Sequence, residues 1–413
     1  MAAENPKQAF SANQKLIAFL LSLMMFLNYV DRQVLSVLAP VMRKEIGLSQ
    51  TGYTWAVNAF LLAYGVMYFG SGLVLDRLGS RLGLAISVAV WSVISALHST
   101  VRGVSDLLLW RFLLGIAEPG GWTGAIKAVS ERFTALQRGI ATGIFSTGSS
   151  IALAVTPPLV VFLSVKLGWR MAFLIPGLAG LLWVPLWLRA TREPPANVAG
   201  VQAAPPLGVA QSLALLRDRR VLAYVLARFF GDFSGYFPLF WVPDYLTSHR
   251  GFSMAMLGSL GWIPFFWNDL GPLSGTWGST RLLRTGIPLL RARKIVMTLA
   301  AVLVALGSAL SAVGGASTAL ILASLSISTF GVGCWAGNLH TVPNDAYPKH
   351  VVASVYGLAG SAGAVGGIFF NTLTGYLSAA GLYWAVFLLW GILEPLAVVG
   401  LWVWLRDREE ENG

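Results

Sequence analysis

The sequence predicts an all-α membrane protein of twelve transmembrane helices, arranged as two six-helix halves. Three observations carry that expectation. Of 413 residues, 56% are hydrophobic and only 11% charged, too little polar surface to cover a soluble core of this size. Apolar runs long enough to cross a ~30 Å hydrocarbon layer as helices recur from Lys15 to Leu405. The basic residues alternate between rich and poor connectors, as the positive-inside rule requires of a multi-pass chain.

The first span, 15–40, follows the polar stretch Met1 to Gln14 without an Ala-x-Ala cleavage pattern, so no removable signal peptide is expected. The next five spans fall at 52–75, 82–100, 104–128, 137–165 and 169–190. Thr191 to Arg220 holds Pro194, Pro195, Pro205, Pro206 and several charges, and reads as the linker between halves. The second half carries spans at 219–246, 253–280, 293–313, 317–343, 350–379 and 382–405. The expected domains are residues 1–190, a cytoplasmic linker 191–218, and 219–413 with a short cytoplasmic tail. Weak internal echoes support two related halves: Glu131 to Phe133 ahead of a helix with small residues at Gly143, Ser146, Ser149 and Ser150 resembles Asp345 to Tyr347 ahead of Gly357, Gly360, Gly363 and Gly366. Small faces let helices approach closely, and Ser149 is the member taken as facing substrate.

The net charge of +11 would suit nucleic acid only if the bases were clustered on one face with aromatic residues between them. They are not. Arg77 and Arg81, Lys127 to Arg138, Arg189 to Arg220 and Arg281 to Lys294 fill alternate connectors. The intervening connectors hold only Arg43, Lys44, Arg102, Lys166, Arg170 and Arg250. The split is roughly 20 to 6, which predicts both termini in the cytoplasm and an even number of spans; with no removable signal peptide expected, the inner membrane is the expected location. A lone Cys334 excludes a disulfide framework and a cysteine metal cluster. Signatures of zinc hydrolases, P-loop nucleotide binding and serine hydrolases are absent, so no enzyme activity, cofactor or metal is expected.

The informative residues are charges inside apolar spans: Asp31 and Arg32, Arg111 and Glu118, Arg228 and Asp232, Asp269, and Glu394. Each costs roughly 2.5–3.5 kcal/mol at mid-bilayer on insertion scales, so each needs a partner, water or a role. Arg111 and Glu118 are two helical turns apart and share a face; with Asp31 and Arg32 they can line one cavity. Arginine offers a planar fork to a carboxylate, and a carboxyl group withdrawn from water can carry a proton. Arg228 and Asp232, one turn apart, read as a local structural pair, Glu394 as a group serving the kink at Pro395, and Asp269 as a secondary site. Tyr29, Asn58, Tyr64, Trp335, Asn338 and Asn371 could meet sugar hydroxyls and the C–H face of a sugar ring, whereas His340 reads as a packing residue.

The run from Gly72 through Asp76, Arg77 and Gly79 to Arg81 resembles the loop motif of the major facilitator superfamily, which implies a gating latch. Asn28 to Arg32 and Arg111 to Glu118 resemble the anion:cation symporters of that superfamily. Trp262 to Gly271, Arg291 to Lys294 and Asp345 to Gly360 are similar to its hexuronate branch, whose substrates are galacturonate and glucuronate. The resemblance implies proton-linked carboxylates at Asp31 and Glu118, anion contacts at Arg32 and Arg111, and ligand-side groups at Tyr29, Tyr64 and Asn371. The expected partners are a small organic anion (a sugar acid), protons and the lipid bilayer, and a monomer is expected. The second-half loop, Gly275 to Arg281, lacks the acidic residue of the first copy, so no gating role is assigned to it.

Overall fold

The computed structural model describes residues 10–193, 209–313 and 317–405, apart from a few side chains within helices. The linker prolines Pro194, Pro195, Pro205 and Pro206 lie outside the described residues. Helix α1 (Ala12–Ile46) starts at a capping box in which Ser11 and Gln14 bond each other's backbone, and stops at Gly47 in the left-handed region at φ 66°. Helix α2 (Gln50–Leu97) contains two expected spans, parted by Gly79 at φ 71° and ψ 167°. A positive φ suits glycine, so the glycine of the loop motif makes the turn that separates spans two and three. Helices α3 (Val104–Ala117) and α4 (Pro119–Arg132) form one span interrupted at Glu118, because Pro119 has no N–H to continue the ladder. Helices α5 (Ala135–Leu167) and α6 (Met171–Ala190) complete the first half.

A short α7 (Val209–Ala214) precedes α8 (Arg219–Asp244). Helices α9 (Met254–Leu260) and α10 (Ile263–Arg284) make one interrupted span, followed by α11 (Leu289–Ala312). Another interrupted span comprises α12 (Thr318–Leu339) and α13 (Val342–Ala346), and α14 (Lys349–Ala379) and α15 (Tyr383–Trp404) finish the chain. Twelve membrane crossings result. Among the described residues, seven of the helical stretches are long and apolar enough to cross a membrane by length and composition alone. The other five crossings are the first part of α2, α3 with α4, α8, α9 with α10, and α14, which carry most of the polar groups described below.

Helices α1 to α6 pack on one another, as do α8 to α15, and the two groups meet along α1 with α8, α2 with α14, and α5 with α9 and α10. Within the first group α1 and α5 cross closely: a Cβ on Gly148 would strike the backbone of Ser22. Large apolar side chains such as Phe19, Val66, Phe162, Leu182, Leu273 and Leu306 point outward, the surface that lipid tails would cover.

Candidate functional site

Where the two groups of helices meet, a cavity of about 280 Å³ opens, near the small end of the ~300–1,000 Å³ typical of ligand pockets. One wall carries Tyr29 and Arg32 of α1, Tyr64 and Tyr68 of α2, and Trp122 of α4. The opposite wall carries Arg228, Asp232 and Tyr236 of α8, Trp335 of α12, His340 at the end of α12, and Tyr356 of α14.

Successive helical residues point about 100° apart, which explains how neighbours Asp31 and Arg32 divide their work. Arg32 faces the cavity. Its Nε donates to Oε2 of Glu118 at 2.5 Å, and its guanidinium lies 4.5 Å from the ring centre of Tyr64, 4.9 Å from Tyr29 and 5.6 Å from Phe60. Such aromatic faces attract a cation and fix its plane. Glu118 is fully buried at the break before Pro119, and its Oε1 has no hydrogen-bond partner. Asp31 turns away from the cavity and accepts a 2.6 Å hydrogen bond from Ser95.

Arg111 stands behind this pair. Fully buried and absent from the cavity wall, it donates from Nη2 to the backbone carbonyl of Arg32 at 3.2 Å, and its Nε and Nη1 have no partner. The shared face inferred for Arg111 and Glu118 is real, but it looks onto α1: Glu118 meets the side chain of Arg32 and Arg111 its backbone.

On the opposite wall Arg228 donates from Nε to Oδ1 of Asp232 at 2.6 Å, with the Tyr356 ring centre 5.4 Å away. The local pairing expected from their spacing is present, and both residues also line the cavity. His340 departs from the packing role read for it: it is an exposed cavity residue, 6.3 Å from the Tyr356 ring. Trp335 is buried, with an unpartnered Nε1.

Several candidates do not reach the cavity wall. Ser149 folds back onto the carbonyl of Ser146 at 2.7 Å. Asn338 accepts from Arg293 at 3.3 Å and donates to the Cys334 carbonyl at 3.0 Å. Asp269 lies against Asn268 and Ser150, the latter on α5, at the seam between α10 and α5. Glu394 is fully buried beside Pro395 and facing Ser234. In the loop motif, Gly79 makes the kink, Arg77 is exposed, and Arg81 both donates to the Leu188 carbonyl at 3.4 Å and accepts from Trp187 at 3.0 Å. Gly72 sits in regular helix, and the side chain of Asp76 lies outside the described residues. The neighbouring Ser80 bonds Glu131 at 2.5 Å, while in the second half Arg293 bonds Asp345 at 2.7 Å. Each half thus ties the start of its third span, or the turn just before it, to an acidic residue closing its fourth.

The end of the bundle remote from the termini is stitched across the halves. Arg43 grips Asp244 with both Nη atoms, at 2.5 and 3.0 Å, and Gln50 bridges Asp244 and Ser378 at 3.2 and 3.0 Å. Ser36 donates to the Leu239 carbonyl at 2.9 Å, and the Tyr53 hydroxyl to that of Phe240. Asn371, assigned to the ligand by resemblance, belongs here: it accepts from Trp241 and donates to Asn58, both at 2.7 Å, and Asn58 donates to Thr372 at 2.7 Å. The Arg43–Asp244 pair was not singled out from the sequence. Its only signal is an acidic residue after Pro243 at the end of a span and a basic one ending another.

The profile of the Major Facilitator Superfamily matches residues 21–371. The hexuronate transporter of Escherichia coli (strain K12) is 28% identical over 402 residues, covering 92% of this chain and 91% of its own. The galacturonate transporter of Dickeya chrysanthemi is 30% identical over 297 residues, covering 67% and 85%. A Bacillus subtilis (strain 168) chain named "Probable galactarate/D-glucarate transporter GudP" is 27% identical, covering 87% and 85%. Among solved structures, a bacterial homologue of the human lysosomal transporter Spinster, in an inward-facing and occupied conformation, superposes with a TM-score of 0.72 at 18% identity over 96% of both chains. With the profile spanning most of a chain whose two six-helix groups enclose a central cavity, this multi-pass membrane protein belongs to the Major Facilitator Superfamily and is a transporter rather than an enzyme.

Proposed function

We propose that this protein is a proton-coupled symporter that imports a sugar acid, a hexuronate such as galacturonate or glucuronate, across the inner membrane by alternating access. The observation that carries the reading is Arg32: a permanent cation in a monosaccharide-sized cavity, braced by aromatic rings and held by a single buried carboxylate. Glu118 and the substrate compete for one guanidinium. When Glu118 takes a proton its hold on Arg32 weakens, and an incoming carboxylate replaces it at the free edge of the fork. Loss of the substrate returns Arg32 to Glu118, which must then give up its proton. Occupancy by substrate and proton together is therefore favoured over either alone.

Asp31 is read as a second proton-linked carboxylate. Arg111 keeps Arg32 in place through its backbone and keeps the first half's interior positive. Tyr29, Tyr64 and Trp335 meet the sugar's hydroxyls and ring faces. The two halves, residues 1–190 and 219–413, rock as units, and the protein works as a monomer. With both termini in the cytoplasm, the stitched end faces outward. The small, doubly basic cavity argues against a drug exporter, whose ligands call for a broad apolar pocket.

Galacturonate uptake into proteoliposomes, with and without an inward proton gradient, tests this. Gradient-driven uptake that glucuronate blocks and neutral galactose does not is the expected result. Uptake driven by sodium alone, or absent for every sugar acid, overturns the coupling or the substrate respectively.

A further inference from the structure

The cavity holds one more cation than a monocarboxylate needs. Arg228 lies on the wall opposite Arg32, is 7% exposed, and leaves Nη1 without a hydrogen-bond partner. A buried guanidinium with an unused donor beside a cavity is a costly arrangement unless something meets it. What meets it here on one side is Asp232, one turn along the same helix. That carboxylate is given room by the facing helix: at Gly363 of α14 a Cβ would collide with Oδ2 and Cγ of Asp232. Arg32 is engaged by Glu118 in the same way, so the cavity presents two arginines on opposite walls, each held at its Nε by an internal carboxylate.

We propose that Asp232 is a specificity determinant: it stands on Arg228 in the place of a substrate's second carboxylate, and so makes the cavity favour monoanionic sugar acids over dianionic ones. This rests on the reading of the site as a sugar-acid carrier and deepens it. A hexuronate has one carboxylate, which goes to Arg32, while its far end is a ring of hydroxyls. Those hydroxyls can donate to Asp232 and accept from the unpartnered Nη1 of Arg228. An aldarate of the same carbon skeleton brings a carboxylate at the far end. It meets a guanidinium already neutralised and an Asp232 carboxylate that repels it. Both kinds of acid are named among the relatives.

The test compares galacturonate with galactarate, measured as displacement of bound galacturonate and as thermal stabilisation of the purified protein. The wild type is expected to bind galacturonate more tightly. Asp232→Asn removes the competing charge and should move the galactarate-to-galacturonate affinity ratio toward the diacid by roughly tenfold to a hundredfold, the worth of one charge-assisted hydrogen bond. Gly363→Ala changes neither charge but crowds Asp232 off its position, and should move the ratio the same way by several-fold. Either variant that remains monodisperse is sufficient for the comparison. Adding Arg228→Gln to the Asp232→Asn variant should erase the gain. An unchanged ratio in a variant that still binds galacturonate overturns the proposal, as does a gain that survives loss of Arg228. Absence of binding by both acids to the wild type would instead overturn the sugar-acid reading itself.

Discussion

The two walls of the cavity each carry an arginine held by a carboxylate, yet the pairs are built differently. Arg32 and Glu118 are 86 residues apart and join α1 to the α3–α4 span, whereas Arg228 and Asp232 are four apart on a single helix. Breaking the first frees one helix from another. Breaking the second frees only a side chain. The long-range pair is therefore suited to coupling occupancy to the packing of helices within the first half, and the local pair to recognition without any change in packing.

That contrast can be broken at its strongest point first. Arg32→Ala leaves the buried Glu118 without its hydrogen-bonded cation and removes the anion's anchor, so sugar-acid binding should be lost. The folded state should also be weakened by about 3–5 kcal/mol, the usual cost of orphaning a buried charge, read as a lower midpoint in thermal unfolding. Glu118→Gln keeps the shape and removes the exchangeable proton. Accumulation should fall to its no-gradient level while substrate exchange persists, and full gradient-driven accumulation by this variant would remove Glu118 from the coupling step.

A smaller effect is expected at the stitched end. Asp244→Asn weakens the grip of Arg43 by about 1–3 kcal/mol, enough to change the ratio of closed to open at that end by roughly fivefold or more. A cysteine replacing Ser36, which is fully buried there, should react faster with a membrane-impermeant maleimide by about that factor. The smallest change is Ser80→Ala, which removes one hydrogen bond to Glu131 at the corner of the first half. It should lower the unfolding midpoint by about one degree, at about 1 kcal/mol, with uptake unchanged.

Much of this was legible in the sequence because depth along a helix is. Gly79, Pro119 and the basic connectors mark where spans turn, break and end, and the membrane makes each embedded charge conspicuous. Rotation about the helix axis is less legible. Arg111 has the chemistry of an anion contact, but its face is turned onto the backbone of α1. Asn371 and Asn58 have the chemistry of sugar ligands, but they bond each other across 313 residues at the stitched end. Asp232 read as structural because its partner is local, and only the fold brings it to the wall facing Arg32. His340 read as packing because nothing in its neighbourhood shows that the α12–α13 break leaves it open to a cavity. Where several polar groups of one type occur, tertiary placement alone decides which of them a solute could reach.

The stitched end also bears on speed. A gate sealed by apolar surface would expose that surface to water each time it parted, at roughly 25 cal/mol per Å². The gate here combines apolar contacts across the halves, such as Tyr53 on Trp241, with amides, hydroxyls, backbone carbonyls and one ion pair; water can replace each of the polar partners, so a typical hydrogen bond loses only about 0.5–1.5 kcal/mol net on opening. The polar share of the seal lowers the penalty of parting below that of an apolar seal of the same area, and so brings the two states of the cycle closer to balance.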